Sequence, residues 1–243
     1  MIEYFPILVI VLASAVKGFC GLGFALVSVP LLALTWDDPK RIVTYITLCS
    51  FLQTWLMIKW AIPRVPWKVM PPLFSGMTAG VVAGIFLLNV LKPEPLFLIL
   101  GITVLAISIW KLSGWMPPKP VSYIPHSGTV ACGVVTGVIG AVSCANAPPL
   151  ILYSTIRGWS AETIKAFVQP VFIFAGVTQL IGYVYIGIVT RELLILTAIT
   201  SVPMLLATIV GMKYADRVPQ DTFERSFYIL VFFLSLLLIY KGV

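Results

Sequence analysis

Charge is what this chain has least of. Only 10% of its 243 residues are Asp, Glu, Lys or Arg, against about 25% in a soluble domain. Hydrophobic residues make up 60%, and the mean hydropathy is +1.04. Too few polar groups are present to cover a water-facing surface, which excludes a soluble globular protein and leaves lipid as the solvent. Histidine occurs once, at His126, and H-E-x-x-H, G-x-x-x-x-G-K-[ST] and G-x-S-x-G are all missing. Metalloprotease, nucleotide-hydrolase and serine-hydrolase chemistry therefore have no footing, and the chain reads as a non-enzyme. The four cysteines (Cys20, Cys49, Cys132, Cys144) form no C-x-x-C pair and lie inside apolar stretches. That excludes a disulfide framework and a metal site, and no cofactor is implied. The first residues lack the basic segment of a secretory leader, so the first apolar stretch is expected to be retained. The net charge of +7 comes from Lys and Arg standing singly or in pairs between apolar stretches, not from the basic stripe of a nucleic-acid binder.

Carboxylates are missing where they would matter most. Glu3, Asp37, Asp38, Glu94, Glu162, Glu192, Asp216, Asp221 and Glu224 all fall at or near the ends of apolar stretches. A carrier of cations, or a relay of protons through buried acids, needs at least one of them at mid-membrane. Their distribution favours an anionic or neutral substrate.

What the chain does have is apolar stretches of membrane-spanning length. Eight run near 5–34, 42–62, 69–91, 95–112, 127–156, 164–188, 193–214 and 223–240, each near the ~20 residues a span requires. The expectation is an all-α polytopic membrane protein. A proline-rich linker at 114–125 separates a first membrane repeat, 1–113, from a second, 126–243. The repeat is legible by superposition. Gly84 to Asn89 falls on Gly211 to Asp216 at an offset of 127, while Gly18, Gly21, Pro30 and Leu31 fall on Gly137, Gly140, Pro149 and Leu150 at an offset of 119.

Stretches one and five differ from the rest. The first carries Lys17-Gly18-Phe-Cys-Gly21-Leu-Gly23, and the fifth carries Gly133, Gly137 and Gly140 followed by Ser143-Cys-Ala-Asn146-Ala-Pro148-Pro149. Each glycine or proline costs a helix interior about 1 or 3 kcal/mol relative to alanine, so paired clusters predict helices broken or re-entrant near mid-membrane. Such breaks persist only where protein or a watery cavity receives the freed backbone, and they point to a transporter's binding site. If all eight stretches cross, the basic residues divide almost evenly between the two faces. If stretches one and five are re-entrant hairpins, one face gathers Lys59, Arg64, Lys68, Lys111, Lys119, Arg157, Lys165, Lys213, Arg217 and Arg225. The other then keeps Lys40, Arg41, Lys92, Arg191 and Lys241. The second arrangement restores a positive-inside bias and makes the repeats inverted. It is the preferred of the two.

Lys17 is the one basic residue deep in an apolar stretch, and a charge there marks a functional site by default. Its natural partner is an anion, with N–H groups of the broken helices as further donors. The expected substrate-binding set is Lys17, Gly18, Gly21, Gly23, Gly140, Ser143, Asn146 and Gln169. Hydroxyls and amides donate to an oxyanion without adding a competing charge. Thr44, Gln53 and Gln179 are further polar groups inside apolar stretches. Lys165 is read first as the surface partner of Glu162, with a gate as the second reading. Cys20 and Cys144 stand in the two clusters but not at equivalent repeat positions.

This layout resembles the TauE/SafE-type sulfite exporters of bacteria across nearly the whole chain. The resemblance rests on Gly18-x-x-Gly21-x-Gly23 leading to Pro30-Leu31-Leu32, on Gly133-x-x-x-Gly137-x-x-Gly140 leading to Pro148-Pro149-Leu150, and on the Gly84 and Gly211 stretches. It implies a multi-pass permease of the bacterial plasma membrane that exports small anions, sulfite or organosulfonates, driven by membrane potential or with the proton as coupling ion. One repeat rocking against the other would provide alternating access. An anion channel and a non-transporting accessory subunit are the alternatives, and the oligomeric state, a homo-oligomer included, stays open.

Overall fold

The computed structural model describes residues 4–21, 23–114, 121, 124–214 and 220–243, with the backbone alone for residues 20, 59–61, 64, 161 and 220–227. Most of the linker expected at 114–125, and all of residues 215–219, thus lie outside the described residues. Among the described residues ten α-helices follow one another: α1 Tyr4–Cys20, α2 Phe24–Leu32, α3 Pro39–Ala61, α4 Met70–Val90, α5 Pro93–Leu112, α6 His126–Ser143, α7 Ala147–Ile156, α8 Ala161–Tyr185, α9 Arg191–Tyr214 and α10 Gln220–Gly242. No strand occurs among the described residues. Among the described residues, six helices (α3, α4, α5, α6, α8, α9) contain a stretch long and apolar enough to cross a membrane.

Proline sets several helix starts, where its missing N–H has no bond to lose. It stands in the first turn of α3, α4, α5 and α7. Side-chain caps add to this: Asp38 accepts from Lys40 N at 2.9 Å, and Ser160 accepts from Thr163 N.

The first and fifth apolar stretches each contain two helices. Between α1 and α2 the chain passes Gly21 at φ +75° and Gly23 at φ +90°, a left-handed backbone that costs an L-residue about 1–2 kcal/mol and glycine nothing. Between α6 and α7 it turns at Cys144, with φ +56° and no glycine. The α6–α7 pair doubles back. Cys132 Sγ donates to Pro149 O, Thr129 Oγ1 and Tyr153 Oη share a hydrogen bond of 3.0 Å, and Val121 N reaches Ile156 O at 2.7 Å. Both ends of this hairpin therefore lie together.

Side-chain contacts sort the helix ends into two sets. At one end, Lys241 pairs with Asp37 at 2.6 Å, Arg41 with Glu192 at 2.8 Å, and Lys40 Nζ donates to Asn89 O. This end, here the acidic-paired end, joins the start of α3, the end of α4, the start of α9 and the end of α10. The opposite end holds the start of α4, the end of α5, both ends of the α6–α7 hairpin and the start of α8.

Glycine allows two seams between distant parts of the chain. Gly76, Gly80 and Gly84 of α4 face Val130, Val134 and Val138 of α6, a constant step of four that makes the two helices parallel. A Cβ at Gly80 would sit 2.1 Å from the Val134 carbonyl oxygen, so only glycine permits this spacing. Gly18 of α1 meets Thr208 of α9, and Gly211 of α9 meets Ala15, in the same manner. Gln53 ties this seam to α3, donating to Ser14 Oγ and Thr208 Oγ1.

Candidate functional site

The two helix breaks meet at a cavity of about 50 Å³. Lys17 comes to it from α1, and residues 23–26 bring the first turn of α2. Thr47, Ser50 and Phe51 line it from α3, residues 144–148 from the second break, and Phe172, Gly176 and Gln179 from α8. Thr47 and Ser50, with Thr54 below them, recur at helical spacing and turn a stripe of hydroxyls inward. Phe172, Gly176 and Gln179 do the same on α8.

Lys17 is 1% exposed. Its ammonium donates to Ser50 O at 3.2 Å, Ser50 Oγ at 3.0 Å and Thr54 Oγ1 at 3.2 Å. It lies 5.6 Å from the Phe24 ring centroid and 5.9 Å from that of Phe172. All three donors have acceptors, yet none of those acceptors carries charge. No carboxylate is among the described residues that line the cavity. A buried positive charge satisfied only by neutral groups keeps most of its desolvation cost, and an anion beside it would offset that cost.

The two breaks contribute different groups. The first turn of α2 has no side-chain cap, so its leading N–H groups are open to a ligand at the positive end of the helix dipole. The first turn of α7 contains Pro148 and Pro149, which have no N–H to offer. What the second break supplies is an amide pair: Gln179 Nε2 donates to Asn146 Oδ1 at 3.1 Å. Gly140 leaves room for it, since a Cβ there would collide with Asn146 Oδ1.

Of the eight residues expected from sequence, Lys17, Gly23 and Asn146 line the cavity. Gly21 shapes the first break from behind and Gly140 backs the amide pair. Gly18 faces α9 instead. Ser143 is 1% exposed and fastens the second break, donating to Ile139 O at 2.7 Å and accepting from Ala145 N at 3.4 Å. Gln169, also buried, stays out of the lining, and its Oε1 has no hydrogen-bond partner among the described residues. Gln179, Ser50 and Phe172 are the contributors missing from that set. The stem of Lys165 runs along the first break, where a Cβ on Gly21 would touch its Cγ at 3.6 Å. Cys144 Sγ donates to Val43 O at 3.3 Å and lies 3.3 Å from Thr47 Oγ1, while the side chain of Cys20 is outside the described residues.

The family described as Sulfite exporter TauE/SafE matches residues 6–238 of the 243. The chain belongs to the TauE/SafE sulfite exporter family. No match was found among curated proteins or among solved structures. Membership in an exporter family, with six helices of spanning length, makes the chain a multi-pass membrane protein and a membrane anion transporter.

Proposed function

We propose that the protein is a secondary exporter of a small sulfur oxyanion, sulfite foremost, that binds beside Lys17 where the two helix breaks meet. The carrying observation is a fully buried ammonium held only by neutral acceptors, at the wall of a cavity lined by both breaks. A volume of about 50 Å³ is room for roughly four water-sized positions at ~10–15 Å³ each. That suits the four heavy atoms of sulfite better than a larger two-headed organosulfonate. Lys17 supplies charge, the leading N–H groups of α2 supply direct hydrogen bonds, and the Asn146–Gln179 pair supplies shape and selectivity.

The same reading takes α1–α2 and α6–α7 as re-entrant hairpins entering from opposite faces, within two inverted repeats at 1–113 and 126–243. Two observations support it. The α6–α7 hairpin has both ends together. The parallel α4–α6 seam has its counterpart in α1 against α9, where the roles of the repeats are exchanged. The face that then carries ten basic residues against five is the cytoplasmic one of a bacterial inner membrane.

The test is thermal stability of the purified protein with sulfite, thiosulfate, sulfate, sulfoacetate and lactate, for wild type and Lys17→Met. At ~100 times its dissociation constant a ligand stabilises by ~2.7 kcal/mol. Sulfite should stabilise the wild type and leave Lys17→Met unmoved, with flux into proteoliposomes falling by ~100-fold or more. Undiminished sulfite transport by Lys17→Met would remove the assignment.

A further inference from the structure

A second, narrower pocket of about 10 Å³ shares Gly23, Leu26, Ala147 and Pro148 with the central cavity and continues to Lys111, Trp110 and Tyr228. It leads from the meeting point of the breaks towards the end of α5, opposite the acidic-paired end and hereafter the basic end. Lys111 Nζ stands 5.5 Å from the Trp110 ring centroid and 5.8 Å from that of Tyr228.

The opposite end has a lysine in the corresponding place. α5 and α10 pack antiparallel, Gly101 against Ile239 and Gly242 against Leu98, so Lys111 and Lys241 lie at opposite ends of one helix pair. Lys241 also stands over an aromatic ring, Phe97, at 5.2 Å. Its ammonium is engaged, however, by Asp37 at 2.6 Å and by the carbonyls of Ala33 and Trp36. Lys111 has no carboxylate within ion-pair distance among the described residues. One end is closed by an ion pair, and at the other the described residues leave a lysine on a crevice that reaches the cavity. Lys165 adds a second positive charge along the first break.

We propose that Lys111 is an outer anion station. A small oxyanion travelling between the basic end and the central cavity binds its ammonium transiently, in the crevice bounded by α5, α10 and the two breaks. The inference rests on the reading that the central cavity takes an anion. The neck, at about 10 Å³, is the size of one water, so the anion passes only when Gly23 and Pro148 part. A fixed charge at such an entrance raises the local anion concentration and the rate of capture.

The test uses the full chain in oriented proteoliposomes, with sulfite as the probe, for wild type, Lys111→Gln and Lys111→Arg. Lys111→Gln should raise KM from the basic face about three- to tenfold, less at high salt. Transport efficiency in the opposite direction should fall by the same factor, as microscopic reversibility requires. Lys111→Arg should restore both, and the thermal shift from sulfite at the central cavity should be unchanged in all three proteins. An unchanged KM in Lys111→Gln overturns the station. So does a rise in KM accompanied by a lost thermal shift, which would make Lys111 structural. A wild type that neither binds nor moves any oxyanion removes the reading of the cavity, and the station with it.

Discussion

The two helix breaks serve one cavity with different chemistry. The first turns on glycines at positive φ, carries the lysine and opens a helix start whose N–H groups are uncapped. The second turns on a cysteine, starts its helix with two prolines and carries an amide pair. Charge and donors thus come from one side, shape and neutral polarity from the other. The buried charge has no counterpart at the second break: at the offset of 119 that aligns the glycines, Lys17 falls on Thr136.

The largest way to break this contrast is to unbalance the amide pair. Asn146→Leu leaves Gln179, which is 1% exposed, without its partner, and a buried amide left unpaired costs ~1–3 kcal/mol. Thermal unfolding should record that loss. The double variant Asn146→Leu/Gln179→Leu should regain most of it, binding sulfite with altered preference over sulfate. If the double variant is as unstable as the sum of the singles, the pair is not a unit.

A middle-sized effect tests the turns themselves. Gly23→Ala forces an L-residue to φ +90° and should lower stability by ~1–2 kcal/mol, while Cys144→Gly should stay within ~1 kcal/mol of wild type. Equal losses from both would mean that the two turns are equally strained and the contrast is false.

The smallest effect concerns the cradle of Lys17. Ser50→Ala removes one of its three acceptors but leaves Ser50 O and Thr54 Oγ1. A loss of ~0.5–1.5 kcal/mol is expected, with sulfite binding retained because the charge remains. Loss of binding equal to that of Lys17→Met would shift the recognition from the ammonium to the hydroxyl.

Much of this was legible in the chain. Low charge and long apolar stretches dictate a membrane protein, and Lys17 beside paired glycine clusters marks the place where helices break. What could not be read is which glycine does which task. Gly18 presses on α9, Gly133 and Gly137 press on α4, and Gly21 and Gly23 turn the backbone. In a sequence these look alike, because a close approach is defined by a partner some 50 to 190 residues away. Gln169 and Gln179 posed a similar problem, both polar in one apolar helix. The signal that separates them is the company each keeps at helical spacing: Gln179 continues a face with Gly176 and Phe172 that lines the cavity. The hydroxyls at Thr47, Ser50 and Thr54 were also visible as a stripe once α3 is read with its period.

The parallel seam of α4 and α6 carries a mechanical consequence. Glycines at four-residue steps leave backbone against backbone with no side chain to act as a bearing, and packing of that kind neither slides nor tilts by small amounts. The outer arm of the second hairpin is therefore riveted to a helix from the first half of the chain, and α1 is riveted likewise to α9 from the second. The rigid pieces of this molecule are mixed across its two halves. Any movement at the helix breaks therefore has to carry α4 with α6, and α1 with α9, as two fixed pairs.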